Sequence, residues 1–213
     1  MGAACRHDHE YDPAFDGMSG DYRRRLVAVI AINVAMFVTE MVAGQLAGSQ
    51  ALKADALDFF ADSITYGASL LVIGAALRTR ALVAAVKGLS LLLMGAWVLG
   101  STLYRVFHVG VPEAEVMGLI ALLALAANLG SVLLLVRYKD GDANVRSVWL
   151  CSRNDAIGNV AVMIAALGVW GTATGWPDLI VAAIMAGLFL TSSGKILRQG
   201  WREYRTGDVR DRA

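Results

Sequence analysis

The sequence predicts an all-α membrane protein, a polytopic bundle of six transmembrane helices with both termini in the cytoplasm. Three observations carry that prediction: an apolar composition, apolar runs of bilayer length, and basic residues that gather at alternate breaks between the runs. Of 213 residues, 57% are hydrophobic and 17% charged, against about 45–50% and 25% in soluble domains. Mean hydropathy is +0.55. This excludes a disordered chain and a collagen-like one. With only 2 cysteines, Cys5 in a polar tail and Cys151 in an apolar run, a disulfide scaffold is excluded too. A net charge of +1 supplies no field for nucleic acid.

Each element follows from its run. A spanning helix needs about 20 apolar residues. Residues 1–22 are polar and acidic, lack the apolar core of a signal peptide, and are expected to remain as a cytoplasmic N-terminal tail. After Arg23-Arg24-Arg25 the apolar runs cover residues 26–44, 52–77, 82–106, 116–138, 148–170 and 179–196. They are continuous rather than alternating, which favours helices over a β-barrel. The membrane domain thus extends over residues 23–198, followed by a short cytoplasmic tail, residues 199–213, expected as a solvated helix end or disordered chain. Arg23–Arg25, Arg78, Arg80, Arg137, Lys139, Arg146, Lys195, Arg198, Arg202 and Arg205 all fall on one side of an alternating six-span path. The positive-inside rule makes that side the cytoplasm.

The chemistry lies in acids within the runs. The second run holds Asp55, Asp58 and Asp62. At about 100° per residue these fall within roughly 60° of one another, and Asp58 and Asp62 point almost the same way. The fifth run repeats the four-residue spacing with Cys151 and Asp155, and Asn159 continues that face. The first run adds Asn33 and Glu40, seven apart. An Asp at the centre of a spanning helix costs about 2.5–3.5 kcal/mol on insertion scales, so such residues face a bundle interior or a wet cavity and mark an ion pathway. Asp55, near a helix end, has an equally good reading as a solvated cap or a partner of Lys53. For Asp58, Asp62 and Asp155 the bland alternative is a structural hydrogen-bond network.

Two four-residue pairs on neighbouring helices supply four ligands, a tetrahedral set suited to Zn²⁺. Three carboxylates with one thiolate also admit Mn²⁺, Fe²⁺, Co²⁺ or Cd²⁺. Crowded carboxylates resist full ionisation, so metal entry displaces protons and protonation releases metal.

These residues resemble the cation diffusion facilitator (cation efflux) family of metal/proton antiporters. Asn33, Glu40, Gly44, Gly48-Ser49 and Ala54-Asp55-Ala56, with Asp58 and Asp62, match its N…E…G…GS…ADAxHxxxD pattern. Asn144, Arg146, Leu150, Cys151 and Asp155 match N…R…LHxxxD, and Trp176-Pro177-Asp178 resembles the entry to its sixth helix. The resemblance implies a six-helix bundle, usually a homodimer, with a metal site shared by the second and fifth helices. It implies transport of a divalent cation, Zn²⁺ foremost, against protons across a bacterial inner (plasma) membrane, with no permanent cofactor and no enzymatic activity. Asp58 stands where the family often has His. Cys151 stands where His or Asp is usual, with Asn154, Asn159 or water as substitutes for its ligand role. The family's C-terminal cytoplasmic domain has no counterpart in the residues given. The rival readings are an integral-membrane metal-dependent enzyme and a metal-sensing relative without transport.

Lesser features follow. Cys5, His7 and His9, among acids, form either a weak metal-capturing tail or a solvated terminus. Arg153 points away from the ligand face and is expected to pair inside the bundle or a dimer. Lys87 and Lys195 are expected to snorkel. Gly88, Gly95, Gly118, Gly130 and Gly158 are expected at close helix contacts.

Overall fold

The computed structural model describes residues 19–71, 77–108, 110–139 and 143–210. Among them stand six α-helices and no strand: α1 Gly20–Leu46, α2 Gln50–Leu71, α3 Leu77–Phe107, α4 Ala114–Leu135, α5 Ala143–Thr172 and α6 Trp176–Arg210. The helices outrun the apolar segments at several ends, because helical hydrogen bonding continues into polar flanks where water satisfies the side chains. Thus Arg78 and Arg80, expected in a break, lie within α3, and a short 3₁₀ turn, Val136–Tyr138, closes α4. Of the two expectations for the C-terminal tail, a helix end is what forms, since α6 runs to Arg210.

Five helices are long and apolar enough to cross a membrane: α1, α3, α4, α5 and α6. The exception, α2, has the length, 22 residues or about 33 Å, against a hydrocarbon core of about 30 Å. It falls short in apolarity because it carries Lys53, Asp55, Asp58 and Asp62. Those residues are buried or half-buried among the other helices, which is how a polar helix survives in such a bundle.

The bundle is inside-out relative to a water-soluble fold. Along α1, Val27, Val34, Val38, Val42 and Leu46 face outward while Asn33 and Glu40 are buried. The helices arrange as two groups. α1 packs with α2 and α4, and α4 with α5; α3 and α6 form the most extensive single pair, joined to the first group through α2 and α5. Two expected glycines explain the α3–α6 pair. A Cβ on Gly88 would lie 2.9 Å from the Leu197 side chain, and one on Gly95 would lie 3.0 Å from Phe189. Seven residues apart on one face, they let antiparallel helices approach closely. Gly130 and Gly158, expected in the same role, meet nothing within 4 Å.

Both ends of the bundle are tied. At one end Ser19 caps α1 by accepting from the Tyr22 amide (3.2 Å), and Tyr138 donates to Asp21 (2.6 Å). Arg25 donates to the Leu134 carbonyl at the end of α4 (3.2 Å), where a cation also meets the negative end of the helix dipole. At the other end Asp178, in the first turn of α6, reaches across to the start of α2. It accepts from the Ser49 hydroxyl (2.6 Å) and from the amides of Gln50 (2.8 Å) and Ala51 (3.0 Å). Ser49 in turn accepts from the Leu52 amide (3.0 Å). The backbone turns into this cap through Gly48 at φ +72°, a conformation that glycine adopts without strain. α2, the helix that carries the acids, is therefore fixed in height and rotation by a residue of another helix.

Candidate metal site

With α2 so fixed, Asp58 and Asp62 face α5, and the two meet Asp155 there. All three aspartates line one cavity of about 430 Å³ between α2 and α5 on one side and α3 and α6 on the other. Asp155 lies within hydrogen-bonding reach of both Asp58 and Asp62. By volume the cavity has room for several waters beside the carboxyl groups. Asp62 is buried, while Asp58 and Asp155 are half-buried.

Sequence reasoning missed two neighbours. Tyr66, fully buried one turn beyond Asp62, donates its hydroxyl to that carboxylate and lies 3.2 Å from the Ser152 hydroxyl on α5. The signal was present as another four-residue step on α2. Lys87, expected to snorkel toward an interface, instead lines the cavity, and its charge acts on both Asp58 and Asp62. A long flexible stem reaches inward as readily as outward when carboxylates stand there.

Among the described residues, no group of three or more His, Cys, Asp or Glu side chains stands ready to hold an ion. The aspartates share the cavity, but their oxygens are engaged with one another and with Tyr66. Carboxyl groups in mutual hydrogen-bond contact share protons, and coordination of a dication requires those protons to leave.

The remaining candidates are placed as follows. Asp55 is not among the residues lining the cavity. It is 2% exposed rather than solvated, and accepts from Asn159 Nδ2 (2.7 Å), whose own Oδ1 accepts from Asn128 (2.9 Å). Asn159 is thereby committed to a buried network, whereas Asn154 does line the cavity. Glu40 is completely buried beside Asp55, within hydrogen-bonding reach of its carboxyl group. Lys53 is buried close to Asp178 and Arg105, not paired with Asp55. Arg153, expected to pair inside the bundle or a dimer, is exposed on α5 of the single chain rather than in the bundle, and donates to Asn154 (3.4 Å). The Cys151 side chain, and Cys5, His7 and His9, lie outside the described residues.

A bundle of apolar-faced helices with buried polar groups and an aspartate-lined cavity inside it defines a multi-pass membrane protein. The sequence comparisons make that class specific. Residues 26–203 match the family model of the cation efflux transmembrane domain, and the chain belongs to the cation efflux family, whose members are transporters rather than enzymes. Similar proteins include the zinc transporter ZitB of Yersinia pestis, 30% identical over 203 residues, covering 86% of this chain and 63% of the relative. The metal cation efflux system protein CzcD of Cupriavidus metallidurans is 26% identical over 219 residues, covering 94% and 66%. A cadmium, cobalt and zinc/H⁺–K⁺ antiporter of Bacillus velezensis is 23% identical, covering 87% and 62%. The chain therefore spans somewhat under two thirds of the length of these relatives.

Proposed function

We propose that the protein exports a cytosolic divalent cation, Zn²⁺ foremost, in exchange for protons. Asp58, Asp62 and Asp155 are the anionic ligands and Cys151 is the fourth, its place one turn before Asp155 on α5. The observation that carries this reading is the meeting of three aspartates from two helices in one internal cavity. The names of ZitB and of the Bacillus antiporter support zinc and proton exchange.

The lining of the cavity supports one side of access. From Asp58 it runs through Thr65 of α2, Lys87 of α3, Asn154 of α5 and Ile196 of α6. On each helix this is a step toward the end where Arg23–Arg25, Arg78, Arg137 and Arg198 gather. Toward the other end α2 is embedded in packed apolar residues, among them Leu52, Ala54, Val98, Val162 and Ala182. With the basic end in the cytoplasm, metal enters from there, gives up part of its water to the aspartates and displaces their shared protons. Movement of the α3–α6 pair against the other four helices, the rocking typical of secondary transporters, then closes this mouth and opens the far one. Protons arriving from outside return the carboxyl groups to their hydrogen-bonded arrangement and expel the metal.

The test is flux in proteoliposomes loaded with zinc under an imposed pH gradient. Asp62→Asn and Asp155→Ala should abolish gradient-driven flux while leaving insertion and folding intact. Flux that ignores both the gradient and these substitutions overturns the proposal.

A further inference from the structure

Lys87 is the one cation among the residues lining the described aspartate cavity, and transport as outlined above does not use it. It sits in the first third of α3, just before Gly88, where α3 presses against Leu197 of α6. Its side chain is half-buried and lines the cavity together with Asp58, Asp62 and Asp155. Among the described residues Lys87 makes no ion pair within 4.0 Å, but its ammonium group offers three donors to carboxylate oxygens on a long stem that shares the cavity with them. It has the charge sign of the cargo, the same preferred partners, and a tether that keeps it present at all times.

We propose that Lys87 is a tethered competitor for the aspartate cluster: from within the same cavity its ammonium group competes with an arriving divalent cation for the carboxylates, and that group helps to expel the ion when the transporter turns over. The inference rests on the reading of Asp58, Asp62 and Asp155 as the metal site and adds a residue that sets how tightly that site holds. A carboxylate cage without such a competitor would bind a dication tightly and release it slowly. A transporter needs binding strong enough to load and weak enough to leave. A tethered ammonium meets both demands, since its effective concentration beside the site is high and unchanging.

The experiment is zinc titration by calorimetry on the full purified chain in detergent, at mildly alkaline pH, where protons compete least. Lys87→Met keeps the length and apolar character of the stem and removes the charge. It should bind zinc on the order of tenfold tighter or more, with a lower KM and a lower kcat in zinc flux. Lys87→Arg keeps the charge and should stay near the wild-type affinity. In Lys87→Ala, added methylammonium should weaken zinc binding competitively, a result that a purely structural role for Lys87 cannot produce. Unchanged or weaker zinc binding by Lys87→Met, or no competition by methylammonium, overturns the inference. Failure of the site itself reads differently: the wild type then binds no zinc, or Asp155→Asn binds it as the wild type does.

Discussion

Asn159 on α5 donates its side-chain amide to Asp55 on α2 over 2.7 Å, and this bond separates Asp55 from the two aspartates that follow it on the same helix. The three share a face, yet Asp55 ends in a dry network reaching through Asn159 to Asn128 (2.9 Å), while Asp58 and Asp62 end in a cavity. Replacing Asn159 with Leu keeps the volume but strands Asp55 Oδ2 and the Asn128 amide. Each buried polar group left unpaired costs about 1–3 kcal/mol. Asn159→Leu should therefore lower thermal stability in detergent by at least about 2 kcal/mol. Its surviving folded fraction should bind zinc far better than Asp155→Asn does. Equal loss of zinc binding in both would make Asp55 part of the metal site.

Asp178 makes a second prediction. Its carboxylate takes three hydrogen bonds from the start of α2 and is only 2% exposed. Asp178→Ala leaves the amides of Gln50 and Ala51 without acceptors in a buried place, a loss of about 2 kcal/mol or more. Asp178→Asn retains one carbonyl oxygen and should lose less. Thermal unfolding followed by circular dichroism would order the three proteins. Zinc flux should fall in the Ala variant as well, because the height of Asp58 and Asp62 depends on this cap.

The fold and half of the site were legible in the sequence for a physical reason: hydrocarbon tolerates few arrangements. Apolar runs of bilayer length had to be helices, and acids inside them had to face inward; that those of α2 stand opposite Asp155 of α5 was an implication of the family resemblance, since spacing does not say which helices are neighbours. What spacing does not encode is which neighbour takes each polar atom. Tyr66 and Lys87 are ordinary core and interface residues until the packing of α2 against α5 and of α3 against α6 directs them to the cavity. The separation of Asp55 from Asp58 likewise depends on Asn159, four residues past Asp155 on another helix. Asp178 looked like a feature of the α6 entry, and only its approach to Ser49 makes it the cap of α2.

The α3–α6 seam offers a third prediction. Phe189 both lines the cavity and stands against Gly95, where a Cβ would come within 3.0 Å of it. Gly95→Leu forces α3 and α6 apart or turns Phe189 into the cavity, at a cost of about 1–3 kcal/mol for overpacking. Flux should drop more than insertion does. Gly130→Ala is the control: it meets nothing within 4 Å and should be neutral or stabilise by up to about 1 kcal/mol, as alanine does in a helix interior. If both variants transport normally, the seam does not shape the cavity.

The orientation of the bundle gives the fourth prediction. Arg25 bonded to the Leu134 carbonyl joins the starts of α1 and the end of α4 at one end. Asp178 bonded to Ser49 joins the starts of α2 and α6 at the other end, where the Glu113 amide bonded to the Ala47 carbonyl (3.0 Å) also joins the start of α4 to the end of α1. The basic residues cluster at the first of these ends, and retention of Lys and Arg on the cytoplasmic side would place Lys139 inside and Thr174 outside. Both positions are exposed, so single cysteines can report on them in a background where Cys5 and Cys151 are serine. A membrane-impermeant maleimide added to intact cells should label Thr174→Cys at once and Lys139→Cys only after permeabilisation. The reverse pattern would turn the cavity mouth outward and make this arrangement the outward-open stage of the cycle, with the aspartates facing the side from which protons return.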